Sequence, residues 1–289
     1  MKLVIEIASW LAWRIGRRGR IILSRILGRL LYAIIPSRRR ITLDNLRHAF
    51  PSLDRGAIVL IAQRCYANLV LVLFELLATP HLPPTTIHQT FRYHNRDCIT
   101  NFLAKGRGVV LLSAHIGNWE WAALAAAIEF GQPVLVVVKH QRNHAFNQWL
   151  QEVRRSTGNH LVSMTQAARP MLDWLHRGGI VAILGDQAAD PQSDPFVPLF
   201  GREASTYKAP AILARRTGAA LVFAYGLRAA DGIYDVHFEH IPEANDSTIL
   251  IESVVARMNA LLERAVERAP EQWVWQHNRW KYQPSDQTT

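Results

Sequence analysis

A histidine and a glutamate stand five positions apart where a predicted strand passes into a predicted helix. Residues 109–112 are an unbroken run of valine and leucine, which is typical of a strand buried on both faces. His115 comes shortly after this run, and Asn118 is a favourable N-cap for the alanine-rich helix predicted over residues 119–130. Glu120 then lies in the first helical turn. Because open α/β sheets bind ligands at the carboxyl ends of their strands, the spacing predicts that both side chains meet at a functional site.

The chemistry open to this pair is proton transfer near neutral pH. An imidazole titrates close to physiological pH, so His115 can remove a proton from an attacking hydroxyl group. An ionised Glu120 would fix the tautomer of the ring and stabilise the imidazolium, and such general-base help is worth roughly 10²- to 10⁴-fold in rate. The alternative is that His115 only ends a strand and that Glu120 is only a helix N-terminal acid favoured by the macrodipole. The spacing alone does not separate these interpretations.

Alternating strand and helix patterns continue on both sides of this segment. Strands are predicted from apolar runs at 134–138, 178–187 and 220–227, with a paired strand at 233–240. Helices are predicted at 147–157, 170–176, 207–217 and 246–268. The proline-containing segment 193–205 is predicted as a long functional loop. This order predicts the α/β class, with a mixed, mostly parallel sheet and helices on both faces.

The positive charge of the chain is concentrated at its amino terminus. The whole chain of 289 residues has a net charge of +10, and residues 1–40 hold ten basic residues against one acidic residue. The remainder is therefore almost neutral, which argues against a nucleic-acid-binding surface and for a localised anionic partner. We predict two parts, a basic amphipathic arm over 1–40 and a catalytic α/β domain over 41–289.

The arm predicts contact with a membrane surface. Its apolar residues Ile22, Leu23, Ile26, Leu27, Leu30 and Leu31 share one side of a helix. Arg18, Arg25 and Arg29 fall on the other side together with Ser24 and Gly28. This pattern suits the headgroup layer of an anionic leaflet, and an in-plane helix is favoured over a tilted span because charges interrupt every apolar run. The alternative is a helix packed on the body with its arginines in water.

Cysteine and histidine spacing predicts neither a disulfide framework nor a metal site. Cys65 and Cys98 are the only cysteines, and they lack zinc or redox spacing, which favours a reducing compartment. His140 and His144 are four positions apart but lack the glutamate of a zinc-protease helix. We therefore expect no metal.

Four sequence blocks resemble the bacterial lipid A biosynthesis acyltransferases, which include lauroyl and myristoyl transferases of the wider lysophospholipid-acyltransferase-like group. The first block is RRRITLDNLRHAFPSL, and the second is HIGNWEW, which holds the His-x-x-x-x-Glu pair. The third is ILGDQAADPQSDPFVPLFGREAST, and the fourth is WVWQHNRWK. The pair alone is a weak signal, whereas four blocks in this order are specific, and the resemblance extends over most of the chain.

The resemblance implies a glycerol-phosphate-acyltransferase-like fold and an O-acyltransferase activity. The family transfers a fatty acyl chain from an acyl thioester, of acyl carrier protein or sometimes coenzyme A, to a hydroxyl of a lipid A precursor. His115 is then the general base and Glu120 its partner, and no cofactor or acyl-enzyme is expected. The implied location is the cytoplasmic face of the bacterial inner membrane, with a peripheral, monotopic or single-pass attachment. Acyl carrier protein, anionic membrane lipid and the lipid A precursor are the expected partners.

Further residues are assigned to substrate binding. The amides at the start of the Asn118 helix are expected to stabilise the thioester oxyanion. Asp186 and Gln187 end a predicted strand, so we expect them at the same sheet edge as His115. Cations that follow a neighbouring strand are expected to hold sugar phosphates or phosphopantetheine, and a terminal arginine is expected to contact an anion. These cations are Arg142, Arg154 and Arg279.

Two other functions stay open. The same chemistry would serve an acyltransferase for another glycolipid, a lysophospholipid or a hydroxyacyl lipid. A protein of a different class, a non-catalytic membrane lipid-binding protein, would keep the fold and the basic arm but would not need His115 and Glu120 together.

Overall fold

The computed structural model describes residues 2–287, so Met1 and residues 288–289, the outer ends of the two predicted parts, lie outside the described residues. The helices are α1 (Lys2–Arg14), α2 (Gly16–Ile34), α3 (Pro36–Ala49), α4 (Arg55–Ala78), α5 (Pro84–His88), α6 (Asp97–Leu103), α7 (Trp119–Glu129), α8 (His144–Arg155), α9 (Ala168–His176), α10 (Ala209–Thr217) and α11 (Ile251–Arg268). The strands are β1 (Phe91–His94), β2 (Val109–Ser113), β3 (Val134–Val138), β4 (His160–Ser163), β5 (Ile180–Leu184), β6 (Phe196–Leu199), β7 (Arg202–Ser205), β8 (Ala220–Arg228) and β9 (Tyr234–His240).

Seven strands form the central sheet in the order β1-β9-β8-β2-β5-β3-β4. Neighbouring strands run parallel except β8 and β9, which form an antiparallel pair. One hydrophobic core lies against the face covered by α7 and α8, and a second lies against the face covered by α9, α10 and α11. The predicted class, the mixed and mostly parallel sheet, and the helices on both faces are therefore confirmed.

Strand β2 lies at the centre of this sheet, between β8 and β5. Its residues Val109–Leu112 are at most 7% exposed, which explains why the run is apolar without alternation. Because β2 and β5 are parallel neighbours, their carboxyl ends lie side by side at one edge of the sheet. The loops after these two strands are therefore brought together.

The prediction missed both edge strands and one hairpin. Strands β1 and β4 are only four residues long and mix polar with apolar residues, so they carry no clear period-2 pattern. The segment predicted as a long loop contains the antiparallel pair β6 and β7, which occupies the α11 face. Its turn is formed by Phe200 and Gly201 with φ of +50° and +72°, a geometry typical of two-residue hairpin turns.

The amino-terminal arm consists of α1 and α2, and α2 packs on α4. Arg20, Ser24 and Gly28 are its buried residues, and a Cβ added to Gly28 would lie 2.5 Å from the Ala67 backbone. Ser24 and Gly28, which the sequence places on the arginine side of this helix, therefore lie against the body, because close helix packing needs small residues at the contact. The apolar side of α2 instead points away from the body. The predicted boundary at residue 40 falls within α3.

Exposed apolar side chains cover the outer side of the arm. They are Leu3, Val4, Ile7, Trp10, Leu11 and Trp13 on α1, with Ile22, Leu23, Ile26, Leu27, Leu30 and Ile34 on α2. Only the segment Arg55–His81 is long and apolar enough to cross a bilayer among the described residues, and 39% of its most apolar window is buried within the molecule. The arm thus exposes more large apolar side chains than the segment Arg55–His81 does.

Candidate active site

The loops after β2 and β5 bring His115 and Asp186 into direct contact. His115 Nδ1 lies 2.8 Å from Asp186 Oδ1, and the backbone N–H of His115 donates to Asp186 Oδ2 at 3.0 Å. The expectation that Asp186 shares a sheet edge with His115 is confirmed. Its carboxylate, rather than that of Glu120, orients the imidazole ring.

The Asp186 carboxylate is buried and fully engaged. Its side chain is 4% exposed, and Trp273 Nε1 donates to Oδ2 at 2.8 Å. Burial alone would raise the pKa of Asp186, but the charge of His115 and the hydrogen bonds from His115 and Trp273 lower it to about 2. Asp186 is therefore an ionised acceptor throughout the neutral pH range.

These contacts define which nitrogen of His115 is basic. An ionised Asp186 requires the ring proton on Nδ1, which leaves the lone pair on Nε2. Within residues 2–287 Nε2 makes no hydrogen bond, and the side chain is 22% exposed. Burial alone would lower the pKa of His115, yet the charge and hydrogen bond of Asp186 and the charge of Glu120 raise it above its usual value. The ring is thus a strengthened base that remains open to a ligand.

Glu120 is held by Arg154 and not by His115. Arg154 Nε donates to Glu120 Oε2 at 2.9 Å, and Arg154 Nη2 donates to Oε1 at 2.6 Å. The predicted direct contact between Glu120 and the ring is therefore wrong, because Nδ1 already donates to Asp186 and the glutamate turns toward α8. Glu120 acts on His115 only through its charge.

A glycine turn and the carboxyl-terminal segment fix the loop that carries His115. The His115 carbonyl accepts from Val274 N at 3.1 Å, and Gly117 N donates to the Gln272 carbonyl at 3.0 Å. Gly117 has φ of +60°, and a Cβ there would collide with the Gly226 carbonyl. The loop conformation therefore requires glycine at this position.

A buried polar network anchors the start of α7. The Asn118 side chain caps α7 by accepting from Trp121 N at 3.0 Å and donates through Nδ2 to Glu75 Oε2 at 2.8 Å. Glu75 on α4 also accepts from Arg228 Nη2 at 2.6 Å and from Tyr234 Oη at 2.8 Å. The predicted cap is confirmed. Because the Asn118 side chain is 1% exposed and both its polar ends are engaged, it is unavailable to a substrate.

The other predicted binding residues lie in different surroundings. Gln187 is half-buried beside Asp186 and makes no hydrogen bond with the described residues, and Arg142 is exposed on the loop before α8. Arg279 was expected to contact a bound anion, but it is 1% exposed. It donates to the Ser205 carbonyl at 2.6 Å and to Thr206 Oγ1 at 2.7 Å, and burial lowers its pKa to about 10. Arg279 is thus a packing residue beneath the hairpin.

A narrow apolar cavity of about 100 Å³ lies between α7 and the sheet. Small residues of the helix and of the strands beneath it leave this space open: Ala122, Ala123, Ala126, Ala182, Ala224 and Gly226. Ser113, Ile116 and Trp119 line it on either side of His115 in sequence, and the Trp119 ring contacts the His115 ring at 5.2 Å between centroids. The Glu120 and Arg154 side chains also line this cavity.

The arrangement combines a base with a neighbouring apolar cavity. His115 can accept a proton at Nε2, Asp186 can hold the resulting imidazolium, and the cavity suits a hydrocarbon chain. Among the described residues, no three His, Cys, Asp or Glu side chains are grouped to hold a metal ion. Sequence reasoning missed the roles of Trp273 and Glu75. Trp273 belongs to the fourth sequence block, but its contact with Asp186 spans 87 positions of the chain.

Comparison with known proteins places the sequence among characterised relatives. Residues 3–282 match the family described as "Bacterial lipid A biosynthesis acyltransferase". The chain is similar to the lipid A biosynthesis lauroyltransferase of Escherichia coli, with 27% identity over 259 residues, or 89% of this chain and 84% of the relative. It is also similar to the lipid A biosynthesis palmitoleoyltransferase of the same organism, with 24% identity over 286 residues, or 98% of this chain and 88% of the relative.

Proposed function

Since the chain belongs to the family of bacterial lipid A biosynthesis acyltransferases, we propose that it transfers a fatty acyl group from a thioester to a hydroxyl of a lipid A precursor, with His115 as general base. The observation that carries this proposal is the contact of His115 with Asp186 beside an apolar cavity. A base for an alcohol and a channel for an alkyl chain are the two requirements of O-acylation.

The reaction proceeds in one displacement on the thioester. His115 Nε2 takes the proton of the acceptor hydroxyl while its oxygen attacks the thioester carbonyl carbon. A tetrahedral oxyanion forms, the carbon–sulfur bond breaks, and the new ester bond remains. The imidazolium then returns its proton to the leaving thiolate, so that the thiol is released and the base is regenerated. Asp186 keeps the proton of Nδ1 in place and stabilises the imidazolium.

The start of α7 is suited to the oxyanion. Asn118 occupies the Trp121 N–H, whereas the N–H groups of Trp119 and Glu120 have no partner among the described residues. First-turn amides and the helix dipole favour negative charge at this position. We assign these two amides to the thioester oxygen as it becomes charged.

The pair of Glu120 and Arg154 has a supporting role in this scheme. Its bidentate contact ties α7 to α8 along the cavity. The Glu120 charge also raises the pKa of His115, so it favours the protonated ring in the transition state. Arg154 retains Nη1 for a ligand, because its Nε and Nη2 are engaged by Glu120.

We assign the cavity to the acyl chain of the donor, which gives a prediction on chain length. Ala182 lines the cavity from β5, so Ala182→Leu should fill part of it and Ala182→Gly should enlarge it. We expect kcat/KM to shift at least about tenfold toward shorter acyl donors in the first variant and toward longer donors in the second. The measurement is competition between thioesters of increasing length.

Each variant serves as the control for the other, because a general loss of folding would lower the rate with every donor alike. An unchanged chain preference in both variants would contradict the assignment of the cavity.

We propose acyl carrier protein as the donor, with coenzyme A thioesters as the other source and no cofactor. Arg142, on the exposed loop before α8, is a candidate for the phosphopantetheine phosphate. We also propose that the reaction takes place at the cytoplasmic face of the inner membrane.

The exposed apolar side of the arm is proposed to rest in that membrane, which predicts a change in partitioning. Ile22, Ile26 and Leu30 are 57%, 55% and 51% exposed. Burying such a side chain in lipid stabilises binding by about 1.5 to 3 kcal/mol, so replacing all three with glutamine should lower membrane partitioning by more than about 100-fold. The measurement is the fraction of protein that sediments with vesicles of bacterial lipid.

The matched control is Leu250→Gln, which changes a 70% exposed leucine outside the arm and should leave sedimentation unchanged. Equal sedimentation of the triple variant and the unchanged chain would show that another surface holds the membrane.

The function itself is tested by acyl transfer with the purified full chain. Incubation with an acyl thioester and a lipid A precursor should add the mass of one acyl group to the lipid and release one free thiol. Binding of the lipid without any gain in mass, under every donor tried, would favour the non-catalytic lipid-binding protein. Gain in mass only on a lysophospholipid would identify a different acceptor.

A further inference from the structure

A second, larger cavity lies outside the reaction site and is lined by arginines. This arginine cleft has a volume of about 1000 Å³ and lies between α2, α4, the turn from β8 to β9, and residues 271–272. Six of its lining residues are arginines, namely Arg17, Arg18, Arg25, Arg29, Arg64 and Arg228, whereas Asp231 and Glu271 are its only lining acids within the described chain. The cleft is therefore strongly positive.

Most of this charge is uncompensated. Arg228 is paired with Glu75, and Arg17 donates to the Asp231 carbonyl. Within residues 2–287, the remaining four lining arginines make no ion pair or hydrogen bond, and they are exposed on α2 and α4. The Asp231 carboxylate is itself engaged by Arg92 at 2.9 Å, and Arg228 Nε is buried without a partner. Free guanidinium groups around a concave space are suited to phosphate groups.

The floor of the cleft is connected to the reaction site by hydrogen bonds. Gln272 exchanges two hydrogen bonds with the Arg228 backbone, at 2.8 and 3.0 Å. The Gln272 carbonyl accepts from Gly117 N, two positions after His115. A ligand in the cleft would therefore lie next to the loop that carries the base.

The opening of the cleft is bordered by the exposed apolar side of α2. Arg25 and Arg29 lie between exposed isoleucine and leucine residues of the same helix. Along this helix, Arg18 and Arg29 are separated by about 16 Å, which allows more than one phosphate to be held at once. A lipid with a phosphorylated headgroup satisfies both features, because its phosphates fit the cleft and its chains lie beside the apolar surface.

We propose that the arginine cleft binds the phosphate groups of the acceptor glycolipid and so positions its hydroxyl at His115, an inference that rests on the proposed function. The concave shape favours this ligand over the flat headgroup layer of bulk anionic lipid. Its volume is typical of a site for a small molecule rather than of a docking surface for an acidic protein such as the donor carrier.

The test uses the purified full chain in neutral-detergent micelles and two acceptors, a lipid A precursor with its phosphates and the same lipid after phosphatase treatment. Arg25→Gln, Arg29→Gln and Arg64→Gln should each raise KM for the phosphorylated acceptor at least about tenfold and leave kcat within about twofold. The same variants should not change KM for the dephosphorylated acceptor. Arg14→Gln removes an exposed arginine of the arm outside the cleft and should have no effect.

The proposal would be overturned by an unchanged KM in all cleft variants or by an equal rise in KM for both acceptors. An equal effect of Arg14→Gln would also overturn it, because it would indicate general attraction to anionic surfaces. A rise in KM for the acyl carrier protein thioester instead of the acceptor would assign the cleft to the donor. Free inorganic phosphate that competes as strongly as the lipid would identify an anion site without headgroup recognition.

A binding experiment separates this inference from the proposed function. In the His115→Ala chain, which has no base, the phosphorylated lipid should still bind at least about tenfold more tightly than the dephosphorylated lipid, and Arg64→Gln should remove that preference. Preserved preference without acyl transfer by the unchanged chain would overturn the proposed function alone. Loss of the preference with active transfer would overturn the cleft alone.

Discussion

Replacing His115 with alanine is expected to lower kcat for acyl transfer by roughly 10²- to 10⁴-fold, because the acceptor hydroxyl loses the group proposed to take its proton. The fold should survive, since the ring is at the surface of the site and 22% exposed. The measurement is the initial rate of thiol release with saturating thioester and lipid A precursor, together with the thermal unfolding temperature.

The matched control for this variant is His176→Ala. His176 is an exposed histidine at the end of α9, before β5, and therefore at the opposite edge of the sheet from His115. We expect its rate to be unchanged. A His115→Ala chain that transfers the acyl group at the normal rate would exclude His115 as the base.

Replacing Asp186 with asparagine is the second change with a large expected effect. The buried carboxylate accepts from the ring, from the backbone of His115 and from Trp273. A neutral amide of the same shape places an NH₂ group opposite one of these donors. When it faces the ring, it favours the His115 tautomer with its proton on Nε2, and that nitrogen can then no longer act as a base. We expect kcat to fall by roughly 10²- to 10⁴-fold with little change in KM for the acceptor.

Two comparisons make the Asp186 result specific. Asp190→Asn changes an exposed aspartate four positions later and should leave kcat unchanged. Glu120→Gln should lower kcat by less than Asp186→Asn, because Glu120 affects the ring by charge alone. A larger loss of kcat in Glu120→Gln than in Asp186→Asn would instead support the direct pairing of Glu120 with His115 that the sequence spacing predicts.

The sequence was sufficient for the centre of the fold and for the strand and helix on either side of His115. The unbroken apolar run of β2 and the alanine-rich α7 are local patterns, and they predict both the strand and the helix that flank His115. The carboxyl end of β5 could be placed beside His115, because the carboxyl ends of parallel strands lie at the same edge of a sheet. Edge strands β1 and β4 were missed because four mixed residues carry too little periodicity.

Contacts between residues that are far apart in the sequence could not be predicted from local sequence patterns. The spacing of His115 and Glu120 suggested a direct contact, whereas the partner of the ring lies in the loop after β5 and the partner of Glu120 lies on α8. Both contacts result from how the sheet and the helices pack together. A short stretch of sequence carries no information about this packing. The burial of Arg279 and the contact of Glu75 with Asn118 depend on the same long-range packing.

The most direct test of the central claim is an NMR titration of the His115 ring in the unchanged chain, in Asp186→Asn and in Glu120→Gln. The structure predicts that the neutral form of the ring carries its proton on Nδ1 and that the pKa is raised above its usual value, so the base becomes protonated and inactive as the pH falls through that raised value. The pKa should drop in both variants and drop most in Asp186→Asn, since burial then acts without the opposing carboxylate. A proton on Nε2 in the unchanged chain, or a larger drop in Glu120→Gln, would contradict the claim that Asp186 holds the catalytic base.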